Sequence, residues 1–461
     1  MTIDHSKRNI IAALMVATFL TAIDTTIIST AMATIVRDLG GSQYISWVFS
    51  VYLLTAAVTT PIYGKLADLF GRKRIFLFGT SLFLIGSFLC GLSQSMFQLM
   101  IFRAIQGLGA GAVQPITMTI IGDIFTQEER AKLMGVFSAM WGVAGIVGPL
   151  VGGFFVDYVS WHWIFYINIP VGLVSIVLIS RFFHENIHKK QVYIDYAGVG
   201  LFTISVGTFL YTLLSAGEGG GAILSTTTIA MLVFSAVIFA FFIRVEKRVP
   251  EPMIPLGLMK RKLISVSQAV SFVQGAVLIG TSAYLPIWIQ DVQGHSATYS
   301  GLALLPMSIG WPLASSLGGR LLMKSGYKIA SLIGSFILVA GMGMLLFVTP
   351  ESPAWVIPCI MFVLGAGFGF SVTAITIAVQ SGVVWRERGV ATGSLQFLRT
   401  MGQTVGVAVL GAVLNSYLVT GLPEDKIAGL LSVFQFMFYS AITGLIIAFA
   451  LPQQAEQAEE S

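Results

Sequence analysis

The sequence predicts an all-α membrane protein with many transmembrane helices, and two observations support that prediction. Of the 461 residues, 56% are hydrophobic and only 10% are charged, and the mean hydropathy is +0.86. A soluble domain has about 25% charged residues, so this chain lacks the polar side chains that would cover a surface in water. The apolar residues also form long unbroken runs, whereas a β-barrel would show short alternating segments.

Fourteen segments of the sequence are apolar over roughly the 19 residues that a hydropathy window requires. Lys7 and Arg8 precede the first segment as in a secretory signal, but Asp24 interrupts it and many spans follow. We therefore expect this segment to be retained as the first span. The predicted spans are 9–31, 46–63, 75–94, 97–121, 131–155, 162–183, 196–216, 224–243, 263–289, 298–321, 329–349, 354–380, 389–414 and 430–450.

The basic residues indicate the orientation of the chain in the membrane. If the N-terminus lies inside and the spans alternate, 22 of the 26 Lys and Arg residues fall in inner loops, as the positive-inside rule requires. If one helix were miscounted, the basic residues would no longer be concentrated in the inner loops. We therefore predict an even number of spans and cytoplasmic termini. The net charge of +5 is scattered among short loops, which argues against a nucleic-acid-binding patch.

Two strings recur at nearly one offset, which indicates an internal repeat. The segment 64–71 resembles 319–326 at an offset of 255, and Glu129-Arg130 resembles Glu387-Arg388 at an offset of 258. Parallel repeats of six spans with a site near the midplane are a transporter architecture. The predicted domains are an N-terminal six-helix half at 1–190, a central two-helix insert with its loops at 191–250, and a C-terminal six-helix half at 251–461.

Asp24 is the most informative single residue, because it is the one acid deep within a predicted span. An ionised carboxylate there costs about 2.5–3.5 kcal/mol on insertion scales, and intramembrane acids are functional by default. Burial favours the neutral form and a nearby cation favours the charged form, so such a group can load and release a proton. Arg103, counted to the same depth in the fourth span, is the predicted partner. The alternatives are a structural hydrogen bond and a static ion pair.

The string Gly64–Arg74 is the most specific one in the chain, with two glycines, four cations and one carboxylate. Gly64 and Gly71 permit close approach of the backbone, and Asp68 can cap a helix N-terminus. The plainer interpretation is the positive-inside charge bias alone.

This string resembles the signature loop of the major facilitator superfamily, and four others resemble its fourteen-span drug:proton antiporters. The resemblance covers essentially the whole chain. Leu69 departs from the pattern, since many members carry a basic residue there. Met323 stands at the place of Asp68 in the second copy, so that copy is not expected to make the same interactions. The four further strings are Ile23–Ile28, Arg103–Pro115, Gly145–Gly153 and Trp161–Gly172.

The resemblance implies a major facilitator fold and roles for several residues. A conformational latch is expected at Gly64, Asp68, Gly71, Arg72 and Asp123. A glycine helix of the exporter type is expected at Gly145, Gly148, Pro149, Gly152 and Gly153. Proton coupling is expected at Asp24 and Arg103, and a substrate cavity at Gln106, Gln114, Arg399 and Gln403.

The implied function is efflux of amphipathic, often cationic, drugs and dyes by a multi-pass antiporter of the cell membrane, conferring antibiotic resistance. The proton gradient would drive it through alternating access, with no cofactor and no metal, and a monomer would suffice. The sequence contains no nucleotide-binding loop and no histidine cluster, so neither feature suggests an enzyme. The open alternatives are an exporter dedicated to one metabolite or antibiotic, a non-transporting scaffold or sensor, and an importer, against which the glycine helix argues.

Overall fold

A computed structural model of the chain describes residues 5–125, 127–185, 195–216, 225–249, 257–383, 388–418 and 423–453. Within these ranges every regular element is a helix. The helices are α1 (His5–Leu39), α2 (Ile45–Phe70), α3 (Arg72–Gly91), α4 (Met96–Ile124), α5 (Gln127–Tyr158), α6 (Trp163–Tyr166), α7 (Asn168–Phe182), α8 (Tyr196–Ala216), α9 (Thr226–Glu246), α10 (Lys262–Ile287), α11 (Ala297–Leu345), α12 (Val356–Ser381), α13 (Arg388–Tyr417) and α14 (Pro423–Phe449).

Twelve of the helices in the described ranges are long and apolar enough to cross a membrane. The predicted spans 196–216 and 298–321 are not among these twelve, although α8 and the first part of α11 are helical there. The all-helical fold class is thus confirmed with about twelve apolar helices, and the count of fourteen stays a prediction.

The string from Gly64 to Gly71 was expected to be a loop, and the structure differs. Helix α2 continues to Phe70, and only Gly71 separates it from α3, with φ 96° and ψ 142°. Residues other than glycine rarely adopt this backbone angle, so Gly71 ends the helix. No described atom lies within 4 Å of a Cβ built on Gly64, so the close approach expected there is not seen among the described residues. A helix needs no apolar side chains to continue, which explains why hydropathy ended the span too early.

The second copy of the string has the same backbone conformation as the first. Gly326 interrupts α11 with φ 80° and ψ 166°, and it lies 255 residues after Gly71, at the offset of the sequence repeat. The predicted spans 298–321 and 329–349 are therefore the two parts of α11 on either side of this glycine. A shared left-handed turn at one offset is physical support for the repeat.

The contacts divide the chain into two compact units, Met1–Thr203 with Ser296–Gly301, and Ile204–His295 with Leu302–Ser461. In the first unit, α4 packs against α2 and α3, while α1 packs against α5 and α7. One apolar core of this unit contains Ile10, Phe76, Ile121 and Ile179, contributed by four different helices. The predicted domain limits near residues 190 and 250 stay a prediction.

In the second unit, α10 packs against α13 and α14. Its described core includes Leu263, Val379, Leu395 and Ala448. The pairing of α10 with α13 has the same place in this unit as the pairing of α1 with α5 in the first.

Candidate functional site

Glycines in α3 and α4 allow three helices of the first unit to approach closely around one polar centre. A Cβ on Gly86 of α3 would lie 2.5 Å from the Cα of Gln106 on α4. A Cβ on Gly107 would lie 2.5 Å from the backbone oxygen of Tyr52 on α2. Small residues permit such contacts between membrane helices. They place the side chain of Gln106 in the interior of the unit, where it is 0% exposed.

Asp24 of α1 and Arg103 of α4 form an ion pair, as the sequence predicts for their geometry. Arg103 Nη1 donates to Asp24 Oδ2 at 2.6 Å, and both side chains are 1% exposed. The guanidinium carbon also lies 4.0 Å from the centre of the Tyr52 ring, in a cation–π contact. The positive charge is therefore held between a carboxylate and an aromatic face.

Gln106 binds both members of the ion pair. Its Oε1 accepts from Arg103 Nη1 at 2.7 Å, and its Nε2 donates to Asp24 Oδ1 at 2.7 Å. The amide therefore joins acid and base by a second route. Gln106 was expected to line a substrate cavity. The structure instead buries it in the ion-pair network, because α3 packs directly over it.

Helix α7 contributes an amide on the other side of Asp24. Asn168 Nδ2 lies 3.3 Å from Asp24 Oδ1 and donates to Ser87 Oγ of α3 at 2.9 Å. Pro170 cannot supply the N–H that would bond the carbonyl of Tyr166, and the helical pattern breaks between α6 and α7 at this point. Asn168 is thus the first residue of α7, at a break in the helix inside the span Trp163–Phe182.

This arrangement can exchange a proton against an ion pair. Arg103, Gln106 and Asn168 present N–H groups to the Asp24 carboxylate, and the Tyr52 hydroxyl also interacts with it, which together favour its ionised form. Adding a proton to Asp24 removes the negative charge that holds Arg103, and the buried cation must then find another partner or water. A proton on Asp24 would thereby remove an electrostatic contact between α1 and α4.

The turn at Gly71 is held by acidic side chains from two other helix ends. Arg72 Nε lies 3.1 Å from Asp123 Oδ2, so these two residues of the expected latch form an ion pair. Glu185 Oε1 and Oε2 accept from the backbone N–H groups of Arg72 and Lys73 at 3.0 and 3.1 Å, which caps α3. The side chain of Asp68 lies outside the described residues, so its predicted role is not addressed.

Replacing Glu185 by Ala is expected to loosen this turn. The two N–H groups at the start of α3 lose a charged acceptor, a loss of about 1 kcal/mol for a typical helix cap. We expect a lower thermal unfolding temperature in detergent. Glu185→Gln retains one acceptor oxygen and should recover part of that loss. Equal stability of all three proteins would contradict the capping role.

The glycine helix α5 packs on α1 beside Asp24. A Cβ on Gly152 would lie 2.7 Å from the backbone oxygen of Ile27, and Gly148 lies against Thr26. Gly153 and Pro149 contact the backbone of residues 298 and 301, which belong to the same compact unit. Gly145 is half-buried in the same helix. The structure thus shows close packing at these positions, and a link to export stays a prediction.

Gly152→Ala is expected to destabilise the protein, because the new methyl group meets backbone that must shift. Overpacking of this kind costs about 1–3 kcal/mol. Gly142→Ala is the matched control on the same helix, since a Cβ there has no described atom within 4 Å. The unfolding temperature of the purified protein should fall for Gly152→Ala and not for Gly142→Ala. Equal unfolding temperatures of the two variants would mean that α1 shifts to make room for the new methyl group.

The other predicted cavity residues lie on two helices of different units. Gln114 is half-buried on α4 of the first unit, and Arg399 and Gln403 are partly exposed on α13 of the second. Arg399 Nη1 lies 3.4 Å from Gln396 Oε1. A separate apolar cavity of about 220 Å³ in the second unit is lined by α10, α13 and α14, and none of these residues contacts it. A shared substrate cavity stays a prediction.

Sequence reasoning missed Tyr52, Ser87 and Glu185 and assigned Asn168 no role. Tyr52, Ser87 and Glu185 carry no signal in the sequence that separates them from ordinary packing or loop residues. Asn168 stood in a string used for the family resemblance, and a buried amide at the start of a span was the one available hint.

Comparison with known proteins identifies relatives along most of the chain. Residues 14–407 match the family described as the Major Facilitator Superfamily. Multidrug resistance protein 3 of Bacillus subtilis is 37% identical over 429 residues, covering 92% of this chain and 83% of the relative. Multidrug resistance protein Stp of Mycobacterium tuberculosis is 32% identical, covering 87% of this chain and 74% of the relative.

Solved structures of transporters share the fold. The nucleoside transporter NupG matches with a TM-score of 0.67 at 14% identity, covering 95% of this chain and 99% of that one. A D-xylose–proton symporter also matches with a TM-score of 0.67 at 14% identity, covering 98% and 99%. Taken with the family match and the apolar helices, these likenesses lead to one conclusion. The chain belongs to the major facilitator superfamily and is a multi-pass transporter of the cell membrane rather than an enzyme.

Proposed function

We propose that this transporter exports amphipathic drugs and dyes in exchange for protons. The observation that supports the proposal most directly is the buried Asp24–Arg103 pair, with both side chains 1% exposed. A transporter that moved neutral solutes passively would gain nothing from the insertion cost of two charges. The relatives named for multidrug resistance support drugs as the class of substrate.

In the proposed cycle, substrate enters from the cytoplasm or inner leaflet while Asp24 is ionised. A proton from the outside later neutralises Asp24, frees Arg103 and favours release of the substrate. One elementary charge moving through 100 mV supplies about 2.3 kcal/mol. A gradient of one pH unit adds about 1.4 kcal/mol. No cofactor is needed in this scheme.

The proposed architecture has fourteen spans in two six-helix halves around a central pair, with both termini in the cytoplasm. The shared turn at Gly71 and Gly326 supports the repeat of halves. We also propose that a single copy of the chain carries out the gradient-driven cycle as a monomer.

Everted membrane vesicles with an acidic interior test this function. Ethidium should accumulate in vesicles that contain the protein, and an ionophore that dissipates the pH gradient should stop the accumulation. Transport of several unrelated dyes and drugs would support a broad exporter. If none of these compounds is transported but one metabolite is, the protein is an exporter dedicated to that metabolite. If nothing is transported, the protein is a scaffold or sensor.

A further inference from the structure

A protonated Asp24 requires something that its ionised form does not, namely an acceptor for the carboxyl O–H. The groups around Asp24 are arranged as donors. Arg103 and Gln106 donate to its two oxygens, and Asn168 Nδ2 lies 3.3 Å from Oδ1. The neutral state therefore cannot keep the present hydrogen bonds to these three groups unchanged. Its O–H needs an acceptor, which is either the Tyr52 hydroxyl, already in contact with Asp24, or the oxygen of an amide that turns toward it.

Of the two amides beside Asp24, only Asn168 has a free acceptor. Gln106 Oε1 already accepts from Arg103 Nη1 at 2.7 Å and faces the Cys90 thiol at 3.7 Å. Asn168 is 0% exposed, and its Oδ1 accepts no hydrogen bond from any residue in the described part of the chain. Buried acceptors are nearly always satisfied, so an unused one beside a proton-carrying acid calls for an explanation.

The Ser87 hydroxyl, which contacts Asn168, can form a hydrogen bond with either orientation of the Asn168 amide. Asn168 Nδ2 donates to Ser87 Oγ at 2.9 Å, while Ser87 donates to the backbone oxygen of Phe165 at 2.8 Å. A hydroxyl can donate as well as accept. If the amide rotates by half a turn, Oδ1 replaces Nδ2 in front of Asp24, and the Ser87 hydroxyl can turn to donate to it.

We propose that Asn168 is a positioning residue whose amide rotates as Asp24 gains or loses its proton. It donates to the ionised carboxylate and accepts from the protonated carboxyl. In the protonation step a hydronium ion transfers its proton to a carboxylate oxygen of Asp24 and leaves as water. This inference rests on the proposed function, since it requires Asp24 to carry the proton.

The titratable groups that interact with this site come from three helices. They are Arg103 on α4, Tyr52 on α2 and Cys90 on α3. Among their described side chains, α5 and α7 carry charge only in the last turn, at Asp157 and Arg181. Substitutions at Asn168 therefore change the setting of Asp24 without removing another charge from its surroundings.

Asn168→Leu tests the proposal in proteoliposomes, with ethidium transport measured over a range of pH at a fixed gradient. The protonated form loses the acceptor that Asn168 supplies, whereas the ionised form loses only the long contact at 3.3 Å and keeps the two shorter donors, Arg103 and Gln106. The pH at half-maximal transport should therefore move to the acidic side by about one unit, a tenfold change in proton concentration. Ser175→Ala is the control, because Ser175 also bonds α7 to α1, through the oxygen of Ala13 at 2.8 Å. Its midpoint should stay that of the wild type.

An unchanged or alkaline midpoint in Asn168→Leu would overturn the proposal, even if the maximal rate falls. Should that variant fail to fold, Asn168→Asp has the same shape and decides the question. Two carboxyl groups in contact share a proton readily, so its midpoint should move to the alkaline side. An unchanged midpoint there would also overturn the proposal.

Asp24→Asn separates a failure of this inference from a failure of the proposed function. If Asp24→Asn still transports ethidium with the gradient, the proton is carried elsewhere and both fail. If Asp24→Asn abolishes gradient-driven transport while Asn168→Leu keeps the wild-type midpoint, only the role of Asn168 is wrong.

Discussion

Asp24→Asn is expected to abolish ethidium uptake driven by a pH gradient in everted vesicles. Asparagine has nearly the same shape as aspartate, but it cannot bind and release a proton in this range. Arg103 would lose its counter-charge at 2.6 Å and keep its hydrogen bond to the Gln106 amide oxygen and its contact with the Tyr52 ring. We expect gradient-driven uptake to fall to the level of vesicles without the protein.

A carboxylate on the same helix provides the control for this prediction. Asp38 lies near the end of α1, where its Oδ2 accepts from the Trp161 indole at 2.8 Å. Asp38→Asn retains an acceptor for that bond and should leave gradient-driven uptake near the wild-type rate. Equal uptake by Asp24→Asn and wild type would show that another group carries the proton.

Arg103→Ala is expected to have the second large effect, on stability and on pH dependence together. Removing one member of a buried ion pair leaves an uncompensated charge and costs about 3–5 kcal/mol. Asp24 can avoid that cost by staying protonated, and transport should then lose its wild-type dependence on pH. The measurements are thermal unfolding in detergent and ethidium transport across a range of pH.

A double variant distinguishes loss of the pair from loss of the arginine alone. Asp24→Asn combined with Arg103→Ala removes both charges, so it should be more stable than Arg103→Ala by itself. If the double variant is less stable by the sum of the two single effects, the two residues do not act on each other. Wild-type pH dependence of transport in Arg103→Ala would contradict the proposed coupling.

Two features of the site could be predicted from the sequence, because placing a charged side chain inside a bilayer costs free energy wherever it occurs. A carboxylate and a guanidinium inside apolar spans are expensive anywhere in a bilayer, so Asp24 and Arg103 were identifiable without coordinates. The pairing was right, because the two side chains meet at 2.6 Å. Helix α1 continues past the predicted span end at residue 31 to Leu39.

The neutral members of the network could not be predicted, because a buried amide or hydroxyl has little cost that marks it in the sequence. Gln106 stands three residues after Arg103 on the same helix, yet it was assigned to a substrate cavity. Asn168 lies 144 positions from Asp24, and only the packing of α7 against α1 brings them together. The carboxylate of Glu185 likewise reaches α3 from a position 113 residues away.

The sequence by itself determined the all-helical membrane class, most of the spans, the repeat at an offset of 255 and the two buried charges. These follow from properties that each residue has alone, namely hydropathy, charge and the freedom of glycine at positive φ. Only the tertiary structure decided which neutral groups surround Asp24, that α2 runs on to Gly71, and how α3 is capped. Those depend on the rotation and close approach of whole helices, which no single residue specifies.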